Sequence, residues 1–345
     1  TYMKTFKHFF ENIEKERKQI VDIFNKLDLS NPEDAALVDK IWRILNKDHF
    51  EETINNMISK PFVDETEMDV ESVKKDLVQT IFQLENDKTA INEFLENINN
   101  TGSAISVDPL IRGGGTVSFS EIFPNELTEN LFLTLKSYGS GTKQKGPGEF
   151  AFAMLSDRIK LSTKGDIEID NNLIELKVDG GRLALDVKPR RVMLQILQKY
   201  NIPSVLDHIE TKSASLNLRN LITYFNNDNV DKQIRGTIAA ELYTDIFSNT
   251  GVGSVVKSFK SNTDPDRVVK DYNTALYTDY QKKDGFTGLL IVDTRAKKSA
   301  YVKNVNEFGQ LYASGQLGIM NVSVIPSGDA ATREYFPKLQ LSKKG

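Results

Sequence analysis

The sequence predicts an α/β protein in which a mixed sheet is flanked by helices, interrupted by a large helical insertion and preceded by an all-α region. Strand-like patterns occur at 166–178 and again at 287–326, whereas residues 189–284 between them have almost wholly helical patterns. One interrupted sheet explains this order more economically than two small sheets. The predicted division is a helical region at 1–102 and an α/β domain at 103–345, with the insertion at about 189–284.

The composition is that of an ordinary globular protein: 345 residues, of which 39% are hydrophobic and 27% are charged. The chain contains no run of about eighteen apolar residues, so no membrane span is expected. Its first residues show no apolar core followed by small residues, so no secretory signal is expected and an intracellular location is the default. The absence of cysteine excludes disulfides and Cys-ligated zinc.

Charge is distributed unevenly along the chain. Residues 1–100 hold 13 Lys and Arg against 21 Asp and Glu, a net charge of -8, while the whole chain carries -4. The remainder is therefore mildly basic. An acidic arm on a basic body suits a body that meets polyanions, and ordinary surface variation is the alternative explanation.

Helical patterns account for the N-terminal region. Apolar spacing predicts a helix over 1–28, and the capping-box pattern Ser30-Asn31-Pro32-Glu33, with its early proline, predicts the start of a second. A short helix is predicted at 49–59, and a long one from Val70 to Ile98 with apolar residues seven apart. The region either packs on itself as a bundle or serves as an arm for oligomerisation or partner docking.

Residues 103–148 carry weaker signals. Short strands are predicted at 105–107 and 116–119, and a helix from Asn125 to Leu135. The glycine-rich loop at 137–148 lacks the Lys-Ser/Thr spacing of a phosphate-binding loop. Its Lys143 and Lys145 are nevertheless candidates for contact with a backbone phosphate.

The stretch that follows reads as helix, strand, turn and strand. An apolar helix is predicted at 150–155, alternation predicts strands at 166–170 and 173–178, and Asn171-Asn172 is predicted as the turn between them. Later elements are helices at 192–200, 216–225, 231–247, 265–281 and 307–314, and strands at 287–292, 300–305 and 321–326.

Two acids and a lysine in this stretch form the candidate site. Glu175 and Lys177 are two residues apart on a strand and therefore share a face. Asp166 and Glu175 would supply hard oxygen ligands for Mg²⁺ or Mn²⁺, with the carbonyl of Leu176 as a third. Two carboxylates and a lysine are what metal-dependent phosphodiester cleavage needs. In that reaction Lys177 would orient or help to deprotonate the attacking water or hold a phosphate oxygen, and Glu149 could bind the metal through a water or steady a second ion.

The geometry and the role of these residues are both open from the sequence. A turn at Asn171-Asn172 does not set Asp166 opposite Glu175, so their convergence needs a twisted or splayed pair of strands. The alternative is that Asp166 caps a strand while Glu175 and Lys177 form a cross-strand ion pair on a solvated face.

The arrangement Gly165-Asp166, then Glu175-Leu176-Lys177, after a helical Glu149, resembles the PD-(D/E)xK nuclease superfamily with its restriction-endonuclease-like fold. That family has a core of helix, three-strand meander, helix and last strand. Here it would comprise the Glu149 helix, the strands of Asp166 and Glu175, the strand at 287–292, the helix at 307–314 and the strand at 321–326. Gly165 replaces the proline of the family motif.

The resemblance implies a Mg²⁺- or Mn²⁺-dependent DNA endonuclease with Glu149, Asp166, Glu175 and Lys177 as catalytic residues. The motif arrangement is also similar to that of nuclease-like proteins of tailed phages, which implies a location in the host cytoplasm or a virion. The alternative is a noncatalytic DNA-binding or virion structural protein that retains the fold.

Basic residues near the motif are candidates for DNA contact, although charged groups of this kind are often only solvated. They are Arg182, Lys188, Arg190, Arg191, Lys143 and Lys145. A homo-oligomer formed through the N-terminal helices is a further expected partnership. The three histidines are scattered and indicate neither a catalytic triad nor a zinc site.

Overall fold

The structure is a computed structural model that describes residues 31–58, 69–136, 148–185, 193–211, 216–319, 322–325 and 335–342. The predicted helix at 1–28 lies outside these residues, as do Lys143, Lys145, Lys188, Arg190 and Arg191.

The described part of the chain forms 14 α-helices and ten strands. The helices are α1 (Pro32–Leu45), α2 (Asp48–Ile58), α3 (Val70–Leu84), α4 (Lys88–Thr101), α5 (Phe119–Ile122), α6 (Glu126–Leu135), α7 (Glu149–Leu155), α8 (Met193–Lys199), α9 (Pro203–Thr211), α10 (Leu218–Asn227), α11 (Lys232–Tyr243), α12 (Asn249–Ser261), α13 (Pro265–Asp284) and α14 (Val305–Ala313). The strands are β1 (Thr116–Ser118), β2 (Ile159–Leu161), β3 (Ile167–Ile169), β4 (Asn172–Val178), β5 (Leu216–Asn217), β6 (Gly288–Asp293), β7 (Lys298–Val302), β8 (Leu317–Ile319), β9 (Ser323–Ile325) and β10 (Leu339–Leu341).

The chain divides into two compact units. The first comprises 1–109 and 119–171, and the second comprises 110–118 and 172–345. The predicted division between residues 102 and 103 stays a prediction, because compactness does not establish which segments fold independently.

Side-chain caps define the helices of the first unit. Asn31 accepts a hydrogen bond from the amide of Glu33 at 3.0 Å, with Pro32 in the first turn of α1. Asn125 and Thr128 form a reciprocal capping box at the start of α6. Gly102 ends α4 in the left-handed region with φ 74°. The helix starts predicted at Ser30-Asn31-Pro32-Glu33 and at Asn125 are confirmed, but the cap of α1 is Asn31 and not the first residue of the predicted capping box.

The single helix predicted from Val70 to Ile98 is wrong, since two helices replace it. Glu85 is extended at the end of α3, and its carboxylate accepts from the amide of Asp87 at 2.9 Å. Asp87 then accepts from the amide of Thr89 at 2.8 Å and starts α4. These acidic side chains satisfy amides that a continuous helix would have paired internally, so they stabilise the break.

The strand predicted at 105–107 is also wrong, whereas β2 was not predicted. The amide of Ser106 donates to the carbonyl of Ile122 at 2.8 Å, and that of Ala104 donates to Leu155 at 2.8 Å, so this segment bonds to loops and helix ends. Strand β2 pairs antiparallel with β3, setting Ile159 against Ile169. Three residues are too few for alternation to reveal a strand.

The largest sheet is mixed and has six strands in the order β1-β7-β6-β4-β3-β2. Strands β4 and β6 are parallel, while β7 is antiparallel to both β6 and β1. All six residues of β6 are buried, as its continuous apolar run predicted. The mixed α/β class is confirmed. The assignment of β6 as the third strand of a meander is wrong, because a meander strand would be antiparallel to β4.

The second unit contains the helical insertion, which supplies most of the apolar core of that unit. Helices α8 to α13 fill the segment predicted as helical, with α9 and α12 added to the four predicted helices. The final core strand predicted at 321–326 is wrong in its placement. Strand β9 pairs with the two-residue β5 and not with the six-stranded sheet. The amide of Leu218, directly after β5, also donates to the carbonyl of Val322, directly before β9.

Two glycines of the second unit give opposite predictions for stability. A Cβ on Gly288 would lie 2.2 Å from the hydroxyl oxygen of the buried Tyr301 and 2.4 Å from two of its ring carbons. A Cβ on Gly253, an exposed residue within α12, meets nothing within 4 Å. We expect Gly288→Ala to lower the free energy of unfolding by roughly 1–3 kcal/mol through overpacking. Gly253→Ala should raise it by about 1 kcal/mol. Urea unfolding of both variants tests this, and a stable Gly288→Ala would contradict the packing of β6.

Candidate active site

The site is built on β4, which follows a two-residue turn. Asp170 and Asn171 have φ values of 48° and 65°, so they are the turn residues, one position earlier than the predicted Asn171-Asn172. Positive φ at both positions is typical of a type I′ turn, which Asp and Asn tolerate.

Glu175 and Lys177 share one face of β4 and contact each other, as the alternation predicted. The ammonium of Lys177 donates to Glu175 Oε1. The solvated face of the alternative interpretation is wrong, because the side chains are only 5% exposed for Glu175 and 14% for Lys177. Leu176 lies between them in sequence and is buried at a position paired with Leu290 of β6.

A tyrosine that the sequence did not indicate completes this cluster. The hydroxyl of Tyr280, in the last turns of α13, donates to Glu175 Oε1 at 2.5 Å. It also accepts from Lys177 Nζ at 3.2 Å, and Nζ lies 5.4 Å from the centre of the tyrosine ring. Neither contact to Glu175 involves Oε2. Three side chains from a strand and a helix therefore form one charged, hydrogen-bonded group.

Asp284, the last residue of α13, lies in the field of this group. Burial raises the pKa of its carboxyl above the ordinary value, and the negative charge of Glu175 raises it further. The charges of Lys283 and Lys177 and a hydrogen bond with Tyr280 act in the opposite direction. A carboxyl that is more readily protonated thus lies near the candidate catalytic pair.

The chain after β4 packs closely against Lys177. A Cβ on Gly181 would lie 2.9 Å from Lys177 Cδ and 3.2 Å from its Cα, so only glycine fits without displacement. Arg182 donates from Nη1 to the carbonyl of Phe336 at 2.6 Å and so ties this turn to a later segment. Its predicted contact with DNA stays a prediction.

The carboxyl ends of β4 and β6 carry two further acids with structural partners. Asp179 accepts from both the amide and the hydroxyl of Thr294, at 2.8 and 2.7 Å. Asp293 accepts from the amides of Arg295 and Leu341, at 3.1 and 3.2 Å. These bonds fix the loops that follow both strands, so we assign these acids to the framework of the site.

Two predicted site residues belong to the first unit. Glu149 is the first residue of α7 and is 2% exposed, and Asp166 lies directly before β3 and is half-buried. Glu175, Leu176 and Lys177 belong to the second unit. Within the described ranges, no group of three or more His, Cys, Asp or Glu side chains is arranged to hold a metal ion. The catalytic and metal-binding roles of all five residues stay predictions.

Comparisons of the chain with protein-family models, curated proteins and solved structures found no match. The class that the fold defines is a mixed α/β protein in which Tyr280 of α13 contacts Glu175 and Lys177 of the central strand β4. Among the helices that the structure describes, none is long and apolar enough to cross a membrane.

The raised pKa of Asp284 predicts a pH dependence of stability. The folded state binds this proton more tightly than the unfolded state, so the contribution of Asp284 to the free energy of unfolding falls as pH rises above about 4. We therefore expect Asp284→Asn to gain stability relative to the wild type between about pH 4 and neutral pH. Thermal unfolding across this range measures the difference.

Asp207 supplies the control for this measurement, because it is an exposed aspartate in α9. Asp207→Asn should follow the wild-type pH profile more closely. A constant difference between Asp284→Asn and the wild type at every pH would show that the surroundings of Asp284 do not favour its protonated form.

Proposed function

We propose that this protein is a metal-dependent nuclease that hydrolyses phosphodiester bonds in DNA, with Glu175 and Lys177 in its active site. The observation that carries the proposal is the buried contact of these two side chains on one face of a central strand. A buried ion pair contributes little net stability, since desolvation offsets its attraction. Titratable groups with perturbed surroundings, such as Asp284, cluster at functional sites.

The order of elements supports the resemblance to the PD-(D/E)xK superfamily in a revised assignment. Helix α7 is followed by β2, β3 and β4, which are consecutive neighbours at one end of the sheet. The helical insertion then leads to β6, which lies beside β4. This is the order helix, three strands, helical connection and last strand. In this assignment the unpredicted β2 is the first of the three strands, and β6 is the last strand instead of the third.

Asp166 is the second acid of this proposal, because the resemblance implies it from the motif Gly165-Asp166 followed by Glu175-Leu176-Lys177. Asp166 lies directly before β3 and is half-buried. Its carboxylate is of the ligand type that Mg²⁺ and Mn²⁺ prefer.

The chemistry of the donor atoms fits Mg²⁺ or Mn²⁺. The contacts of Glu175 with Lys177 and Tyr280 both fall on Oε1, and its Oε2 is a hard oxygen of the kind these cations prefer. Asp166 and the Leu176 carbonyl would complete the protein ligands, and Mg²⁺ commonly keeps several waters beside one or two carboxylates. A bound cation would acidify a water and offset charge on the phosphate.

Lys177 would meet the substrate directly. Its ammonium is held by Glu175 and Tyr280, and it would hold a phosphate oxygen or orient the attacking water. Glu149 would steady a water in the same site. Arg182 and the basic residues predicted from the sequence (Lys143, Lys145, Lys188, Arg190 and Arg191) would contact backbone phosphates and set register along the duplex.

We expect the wild-type chain to nick or linearise plasmid DNA with Mg²⁺ or Mn²⁺ and not with EDTA. Glu175→Gln should abolish cleavage, because it weakens a metal ligand, and Lys177→Met should slow it by roughly 10²–10³-fold through loss of a charge-stabilising donor. Gel quantification of supercoiled plasmid over time measures both effects.

An exposed ion pair in the same unit provides matched controls. Lys199 contacts Glu241 at 2.8 Å, with side chains 61% and 32% exposed, so Lys199→Met and Glu241→Gln make the same chemical changes elsewhere. They should cleave like the wild type, and melting temperatures in EDTA show whether each variant is folded. Intact plasmid under every divalent-ion condition, with DNA binding retained, would favour the noncatalytic alternative.

A further inference from the structure

Tyr280 couples the helical insertion to the candidate active site. It lies 105 residues from Glu175 in sequence, on the helix that ends the insertion, and its hydroxyl contacts both charged groups of the pair. The residue is 6% exposed, and its ring packs against Phe286 with 5.6 Å between centroids. The ring of Tyr280 is therefore buried and packed, and its hydroxyl is directed at the carboxylate of Glu175.

The hydroxyl restricts how the Glu175 carboxylate can turn. Oε1 receives one hydrogen bond from Tyr280 and one from Lys177. Lys177 is a flexible side chain, whereas the tyrosine hydroxyl sits on a rigid ring with two rotatable bonds. A ligand held in its binding orientation before the cation arrives loses less conformational entropy on binding.

We propose that Tyr280 is a positioning residue that orients Glu175 for binding a divalent cation. The proposal rests on the metal site of the proposed function and adds to it the part played by the insertion. Hydrogen-bond partners of metal ligands typically contribute about 10- to 100-fold to metal affinity. Tyr280 acts through Glu175 and Lys177 and not on the substrate.

The test is Tyr280→Phe, which removes the hydroxyl and keeps the ring. Mn²⁺ binding to the full chain, measured by isothermal titration calorimetry without DNA, should weaken by about 10- to 100-fold. In the plasmid assay the variant should need correspondingly more Mn²⁺, and its rate at saturating Mn²⁺ should approach that of the wild type. Such recovery distinguishes positioning from general loss of structure.

Tyr277 supplies a control on the same helix. Among the residues that the structure describes, its buried hydroxyl has no hydrogen-bond partner, and its ring stacks on Phe308 at 4.9 Å. Tyr277→Phe therefore removes a hydroxyl from α13 without touching the cluster and should bind Mn²⁺ like the wild type. If Tyr280→Phe does not fold, 4-aminophenylalanine at position 280 keeps both ring and donor and should stay within about threefold of wild-type affinity.

The outcomes separate this proposal from the proposed function. Unchanged Mn²⁺ affinity in Tyr280→Phe, with cleavage by the wild type, overturns the role of Tyr280 and leaves the nuclease proposal standing. Weakened Mn²⁺ binding, with no cleavage by the wild type, supports the role of Tyr280 and overturns the nuclease proposal. A wild type that binds no Mn²⁺ overturns the role of Tyr280 together with the metal site.

Discussion

The parallel pairing of β4 with β6 is the constraint on which the second unit depends. Two parallel neighbours cannot be joined by a tight turn, so the chain must cross over between them. Here the crossover is the whole helical insertion, and its last helix, α13, ends directly before β6. The helical crossover that joins the two parallel strands therefore also places Tyr280 beside β4. The insertion is part of how the cluster is assembled.

Local signals predicted the elements whose patterns are long or capped. The continuous apolar run of β6 and the start of α1 were recognisable because their causes lie within a few residues. The break in the helix predicted from Val70 to Ile98 was missed because Glu85 and Asp87 compete for amides in a stretch with apolar heptad spacing. Strand direction was also missed, because it follows from pairing between distant segments.

The site was predictable to the extent that one strand determines it. Alternation alone sets Glu175 and Lys177 on a common face, and the structure has them there. Their burial and the contact with Tyr280 arise from α13, more than a hundred residues away, whose position no local pattern indicates. The turn was misplaced by one residue, since Asp170, Asn171 and Asn172 all tolerate positive φ.

The energetics of the cluster argue for a role beyond stability. An apolar pair of similar size at positions 175 and 177 would avoid the cost of burying two charges, and such replacements are often neutral or stabilising. The chain instead adds a tyrosine hydroxyl to the pair and places a second carboxyl, Asp284, where burial and the charge of Glu175 both raise its pKa. Removing either partner of the pair would leave a buried charge uncompensated. Such a cost is what we expect at the active site proposed above, whose chemistry would need a carboxylate and an ammonium in fixed positions.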